Sequence, residues 1–153
     1  MLRKLLIASL LFFSLPCLGQ NSFLEPADSL HKGRLAGVAT SVGVTWSASM
    51  FSLWQFWYKD AAQADWHSFD DSKNWLQMDK VGHFYTAYKL NQLNSDLFSW
   101  TGLDKRKSLW IGTGISFGYQ STLEILDART VEWGFSWSDI IANTIGTFGY
   151  LGQ

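Results

Sequence analysis

From Leu35 to Tyr58 the chain carries no charged residue, and a helix of that length, rising about 1.5 Å per residue, would reach across a bilayer core. The run is nevertheless interrupted by Thr40, Ser41, Thr45, Ser47, Ser49, Ser52 and Gln55. Small residues recur four apart, at Gly37/Ser41, Ala39/Gly43 and Gly43/Ser47, and make a face along which a second helix can approach closely. Trp54, Phe56, Trp57 and Tyr58 close the segment, as aromatic residues do at a membrane interface. Such a run constrains the fold to helix packed on helix, in lipid or out of it.

Three further helices follow from periodicity and punctuation. Val81, Phe84 and Tyr88, with His83, Ala87 and Leu90 beside them, recur at helical spacing, predicting a second helix from an Asp79 cap to about Leu97. Thr101-Gly102-Leu103-Asp104 breaks that pattern, and Asp104 is placed to cap a third helix reaching Asp127. Gly114 and Gly118 lie on it at the spacing favoured where helices touch. Ser136 followed by Asp139 resembles a capping box for a fourth helix, Trp137 to about Phe148, with Gly146 as a further packing position. The long connection, residues 59–78, is acidic and aromatic.

A chain of 153 residues suits one domain. The expected fold is all-α: a small antiparallel bundle of about four helices, open to membrane embedding and preceded by a signal peptide. Met1-Leu2-Arg3-Lys4 and the apolar run to Phe13 form a basic and then an apolar region of signal length, with cleavage expected after Gly19. Residues 20–34 read as a lead-in in which Asp28-Ser29 could cap the first helix, and 35–153 as the helical domain. Pro16 before Cys17 favours ordinary cleavage over lipidation, which leaves the mature chain without cysteine. Loss of Arg3 and Lys4 takes the 12 basic residues to ten against 13 acidic, a mature charge of −3. That balance speaks against a nucleic-acid partner.

Chemistry-bearing residues cluster at helix ends: Asp79, Lys80 and His83; Glu124, Asp127 and Arg129; Asp139 and Asn143. Short connections favour antiparallel neighbours, so the start of helix two, the end of helix three and the start of helix four fall at one end of the bundle. Spacings of three and four put each set on one helix face. His83 with Glu124, Asp127 and Asp139 offers ligands for a divalent cation, the one cofactor the sequence suggests, and His83 beside a carboxylate could serve as a general base. Singly, the same residues also read as caps and charge pairs, with Lys80 and Arg129 neutralising Glu124 and Asp127. His31 and His67 read as plain surface residues.

Asp79-Lys80-x-x-His83-Phe84, Glu124-x-x-Asp127 and Gly134-Phe135-Ser136-Trp137-x-Asp139 followed by Ala142-Asn143-x-x-Gly146 resemble the YfiM-type family of predicted periplasmic lipoproteins over roughly residues 75–149. The layout is more distantly similar to VanZ-like membrane proteins. The resemblance implies an envelope location and a small helical domain. Relatives continue beyond Tyr150-Leu151-Gly152-Gln153, so a truncated chain is expected.

Charge places Lys32, Arg34 and Lys105 to Lys107 at one end of the bundle and Asp60 to Asp71 at the other, the reverse of what an exported, spanning first helix requires. With a mean hydropathy of −0.01, this favours an exported bundle associated with the membrane or partly embedded in it, with a lipid or other envelope component as partner. The leading expectation is a non-enzymatic structural or binding role centred on the polar cluster. The alternative is a metal-assisted hydrolase of a lipid, phosphate or peptidoglycan substrate, against which stand a single His at the site and the absence of H-E-x-x-H and G-x-S-x-G.

Overall fold

The computed structural model describes residues 21–153, so the expected signal peptide and Cys17 lie outside the described residues. A helical turn, Asn21–Leu24, precedes α1 (Lys32–Leu53), which runs on as a π-helical turn, Trp54–Tyr58. After the acidic loop and a 3₁₀ turn, Trp75–Gln77, come α2 (Met78–Trp100), α3 (Lys105–Asp127) and α4 (Trp137–Leu151). The fold is the expected all-α bundle, in which each long helix reverses the direction of the one before. The irregular segments are tied by isolated bridges, Gln63 to Thr130 and Ser68 to Phe135, rather than by strands.

Two caps follow the sequence signals. Asp104 accepts from the amides of Arg106 and Lys107 at the start of α3, and Ser136 Oγ accepts from Asp139 N at the start of α4. Two others differ. α1 begins at Lys32, capped by His31 Nδ1, which accepts from Arg34 N at 3.1 Å, so Asp28-Ser29 is not the cap and His31 is more than surface. α2 begins one residue before Asp79, behind Leu76 and Gln77 with φ of 51° and 64°. Asp79 therefore sits in the first turn, where its charge complements the helix dipole without capping. The tight α2–α3 turn needs Gly102, at φ 80°, because a Cβ there would run into the carbonyl of Ser29.

The interior of the bundle is unusually polar. The face of α3 turned inward is Ser108, Gly112, Ser116, Gln120 and Glu124, all four apart, and every one is buried. Ala87, Asn91 and Ser95 of α2, and Asp139, Asn143 and Thr147 of α4, make matching buried rows. Hydrogen bonds across the helices satisfy many of these groups: Asn91 Nδ2 donates to Thr113 Oγ1 at 3.1 Å and to Thr147 O at 2.8 Å, and Ser116 Oγ donates to Ala87 O at 2.6 Å. Large apolar residues instead face outward, among them Val81, Phe84, Tyr85, Trp110, Ile141 and Ile145. The periodicity that marks α2 as a helix is thus carried partly by its outer surface.

Close approach of the helices depends on particular glycines. A Cβ on Gly146 would strike the backbone carbonyl of Phe84, and one on Gly112 would strike Ser95 and Asn91. Gly118 lies against Trp46 of α1, but Gly114 faces open space and takes no part in helix packing, contrary to its expected role. α1 is the most loosely held helix, with Val38 its only buried residue. No helix among the described residues is long and apolar enough to cross a membrane.

The two glycines of the packing motifs should therefore respond oppositely. Gly146→Ala must push α4 off α2 and is expected to cost about 1–3 kcal/mol. Gly114→Ala, exposed in a helix interior, is expected to gain up to about 1 kcal/mol. Denaturant unfolding of both variants checks the pair.

Candidate functional site

Loop, α2, α3 and α4 converge on a cleft of about 860 Å³ lined in part by Tyr58, Asp71, Asp79, His83, Glu124, Asp127 and Asp139. Three of these carboxylates surround the Lys80 ammonium, which lies 2.5 Å from Asp71 Oδ2, 2.7 Å from Asp139 Oδ1 and 2.9 Å from Asp79 Oδ2. Burial alone would lower the pKa of Lys80, but the three carboxylates outweigh it and raise it, so the residue stays charged.

Asp71 was not among the residues the sequence singled out as a site. It comes from the loop seven residues before α2 begins, and Ser136 Oγ and Ser138 Oγ each donate to its Oδ1 at 2.8 Å. Burial would raise its carboxyl, yet the bonds from Lys80, Ser136 and Ser138 win and hold it down at about 2. Nothing in the local sequence separates Asp71 from Asp70, which is fully solvated; only the fold distinguishes them.

At the start of α4 the capping box is rearranged. Ser136 caps the amide of Asp139, but the return bond to the Ser136 amide comes from Glu124 Oε2 of α3, at 3.2 Å, rather than from Asp139. Asp139 is thereby released to pair with Lys80. Glu124 Oε1 is left buried without a hydrogen bond, 3.8 Å from His83 Nδ1. Burial, reinforced by the charge of Asp139, pushes the Glu124 carboxyl up to about 8. Burial raises Asp139 and Asp127 as well, although Tyr58 donates to Asp127 Oδ1 at 2.7 Å.

His83 is oriented from behind. Asn143 Oδ1 accepts from Gln120 Nε2 at 3.0 Å and lies 3.1 Å from His83 Nδ1, so the hydrogen-bond network puts a proton on Nδ1 and, in the neutral imidazole, a lone pair on Nε2. That lone pair faces Asp79 Oδ1 at 3.6 Å and Asp139 Oδ2 at 3.9 Å. The three ligand atoms lie within 4.8 Å of one another.

Seven of the eight sequence-derived residues are thus gathered at one end of the bundle: Asp79, Lys80, His83, Glu124, Asp127, Asp139 and Asn143. Arg129 is at the same end but outside the cleft; it is exposed on the α3–α4 turn and forms no ion pair among the described residues. Lys80 pairs with Asp71, Asp79 and Asp139 instead of neutralising Glu124 or Asp127. The group of side chains arranged so that they could hold a metal also differs from the expected His83, Glu124, Asp127 and Asp139: Asp79 joins His83 and Asp139, while Glu124 faces the other ring nitrogen and Asp127 is engaged by Tyr58. His67, read from the sequence as surface, ties the loop to the turn before α4 through Nε2 and Trp133 O, 3.0 Å apart.

Fold and site together define a small all-α protein with an acidic cleft at one end. Residues 65–152 match the family described as predicted periplasmic lipoprotein (DUF2279), and the chain belongs to that family. It is an exported protein of the cell envelope. No curated protein and no solved structure matches the chain.

The raised Glu124 carboxyl has a consequence for stability. Because its folded pKa lies near 8 and the ordinary value is 4.5, the folded state holds a proton that the unfolded state releases, and this contribution is lost as pH rises from about 4.5 through 8. Glu124→Gln should flatten that decline and raise the melting temperature at pH 8 relative to the parent. Melting curves across the pH range, in the presence of a chelator, check this.

Proposed function

We propose that the cleft is a divalent-cation site and that the protein is a cation-dependent binding protein of the envelope. The observation that carries this reading is the facing of three electron-rich atoms, Asp79 Oδ1, His83 Nε2 and Asp139 Oδ2, at 3.6 and 3.9 Å from the ring nitrogen. With Nδ1 bonded to Asn143, a neutral imidazole presents its Nε2 lone pair to the two carboxylate oxygens, and a positive charge among the three would be held by all of them. A tetrahedral ion with bonds of about 2.1 Å sets its ligand atoms roughly 3.4 Å apart, close to the spacing here.

Two further observations support the reading. The His83–Asn143–Gln120 relay is the outer-shell arrangement that fixes the tautomer of a ligating histidine. The surroundings are also rich in carboxyl groups, since Asp71, Asp79 and Asp139 share one lysine and Glu124 and Asp127 line the same cleft. One nitrogen and two carboxylate oxygens suit zinc or manganese.

A second reading, metal-assisted hydrolysis, draws on the openness of the site: three protein ligands leave a coordination position directed into a cleft of about 860 Å³. It rests on cation binding and would show as turnover of a phosphate ester or glycan by the metal-loaded protein.

Calorimetric titration of the metal-free protein with zinc or manganese should give one site per chain. His83→Ala should abolish it, and Asn143→Ala should weaken it about 10–100-fold. Cation binding should also raise the melting temperature. A parent protein that binds neither ion, and whose melting temperature a chelator leaves unchanged, would reduce the cluster to a structural network.

A further inference from the structure

The polarity of this bundle is reversed relative to a helix bundle in water. On α4, Trp137, Ile141, Ile145 and Phe148 form one outward stripe, 67%, 58%, 57% and 45% exposed, while Asp139, Asn143 and Thr147 on the opposite face are buried. In water such a helix would turn the other way, because apolar area left in solvent forgoes about 25 cal/mol per Å². α1 adds exposed apolar area at Val44, 62%, and Phe51, 64%, although its one buried residue, Val38, is apolar as well. The middles of three helices carry no charge: 35–53 in α1, 108–123 in α3 and 140–151 in α4.

From this we infer that the outer faces of α1, α3 and α4 are a lipid-contacting surface, packed against the acyl chains of a phospholipid membrane. Exposed apolar residues occur on all four helices, whereas a protein partner covers one patch; a fluid solvent of acyl chains can cover them all. Small and hydrogen-bonded residues inside, with apolar residues outside, are how helices associate where lipid replaces water. α3 and α4 average a polar inner face with an apolar outer one, and no helix among the described residues is apolar enough to cross a membrane by itself. The surface belongs to the assembled bundle.

Charge and aromatic placement agree. Lys32, Lys105, Arg106 and Lys107 lie at the end where α1 and α3 begin, beside exposed Phe23, Leu24 and Trp110, and complement anionic headgroups. An apolar groove of about 250 Å³ between α1 and the α2/α3 pair, lined by Leu90, Leu93, Leu97 and Ile115, has the chemistry to take an acyl chain. The covering is incomplete at α2, whose outer edge carries Lys89 and Asp96; that strip faces away from the acyl chains. The inference is independent of the cation site.

The test is site-directed labelling of the full chain with Cys17→Ser as background. Ile145→Cys and Val44→Cys, both at exposed positions where a label displaces no packing, and Asp65→Cys in the acidic loop as reference, carry an environment-sensitive fluorophore. Each is reconstituted with vesicles of three parts phosphatidylcholine to one part phosphatidylglycerol, with and without a quencher on the acyl chains. The expected result is quenching at 145 and 44 at least threefold greater than at 65, with unchanged circular dichroism. Equal quenching at all three positions would overturn the proposal. So would label-to-label contact at 145 in a dimer unaffected by the quencher, which would make a second copy the occupant.

Discussion

The Lys80 ammonium is the interaction on which the end of this bundle depends. A buried cation is tolerated only when its lost hydration is replaced, and here three carboxylates replace it from three parts of the chain: Asp71 from the loop, Asp79 from α2 and Asp139 from α4. The pairing with Asp71 draws the loop over the cleft. Ser136 and Ser138 complete the hold by donating to the same carboxylate. The start of α4, the start of α2 and the loop are consequently fixed to one another by a single charge, and α3 joins them where Glu124 accepts from the Ser136 amide.

That arrangement leaves a surplus of carboxyl groups. With Lys80 committed on one side, the remaining lone pairs of Asp79 and Asp139 turn toward His83 Nε2, and Glu124 is buried with one oxygen unbonded. The upward displacement of Glu124, Asp127 and Asp139 has one physical origin: carboxyl groups removed from water and placed close together resist ionising. A cation held by Asp79, His83 and Asp139 would favour the ionised form of these carboxyl groups. The polar rows that run from the site down the bundle, through Gln120, Asn91 and Ser116, connect it to the helix interior and set the register in which the ligands meet.

Much of this arrangement is legible along the chain. Asp104 and Ser136 announce their helices because a short acceptor before an apolar-periodic segment meets the unpaired amides of a first turn. Convergence of Asp79, His83, Glu124 and Asp139 follows from short connections alone. Other features leave no local trace. Leu76 and Gln77 adopt left-handed backbone that glycine would have signalled and these residues do not. Gly114 and Gly118 look alike in sequence, yet only Gly118 meets a neighbour, since helix rotation is set by the whole packing and not by the spacing of two glycines.

By itself the sequence determined the four helices, their order and the end at which the ionisable residues gather, because periodicity, caps and turn lengths are local properties that each segment carries with it. Only the tertiary structure decided that Asp71 rather than Asp70 completes the Lys80 cage, that Arg129 stays outside, and that polar rows face inward while isoleucine and phenylalanine face out. Those choices depend on which surfaces lose contact with water when the helices meet, and a helix bearing both a polar and an apolar face does not reveal which of the two its neighbours will cover.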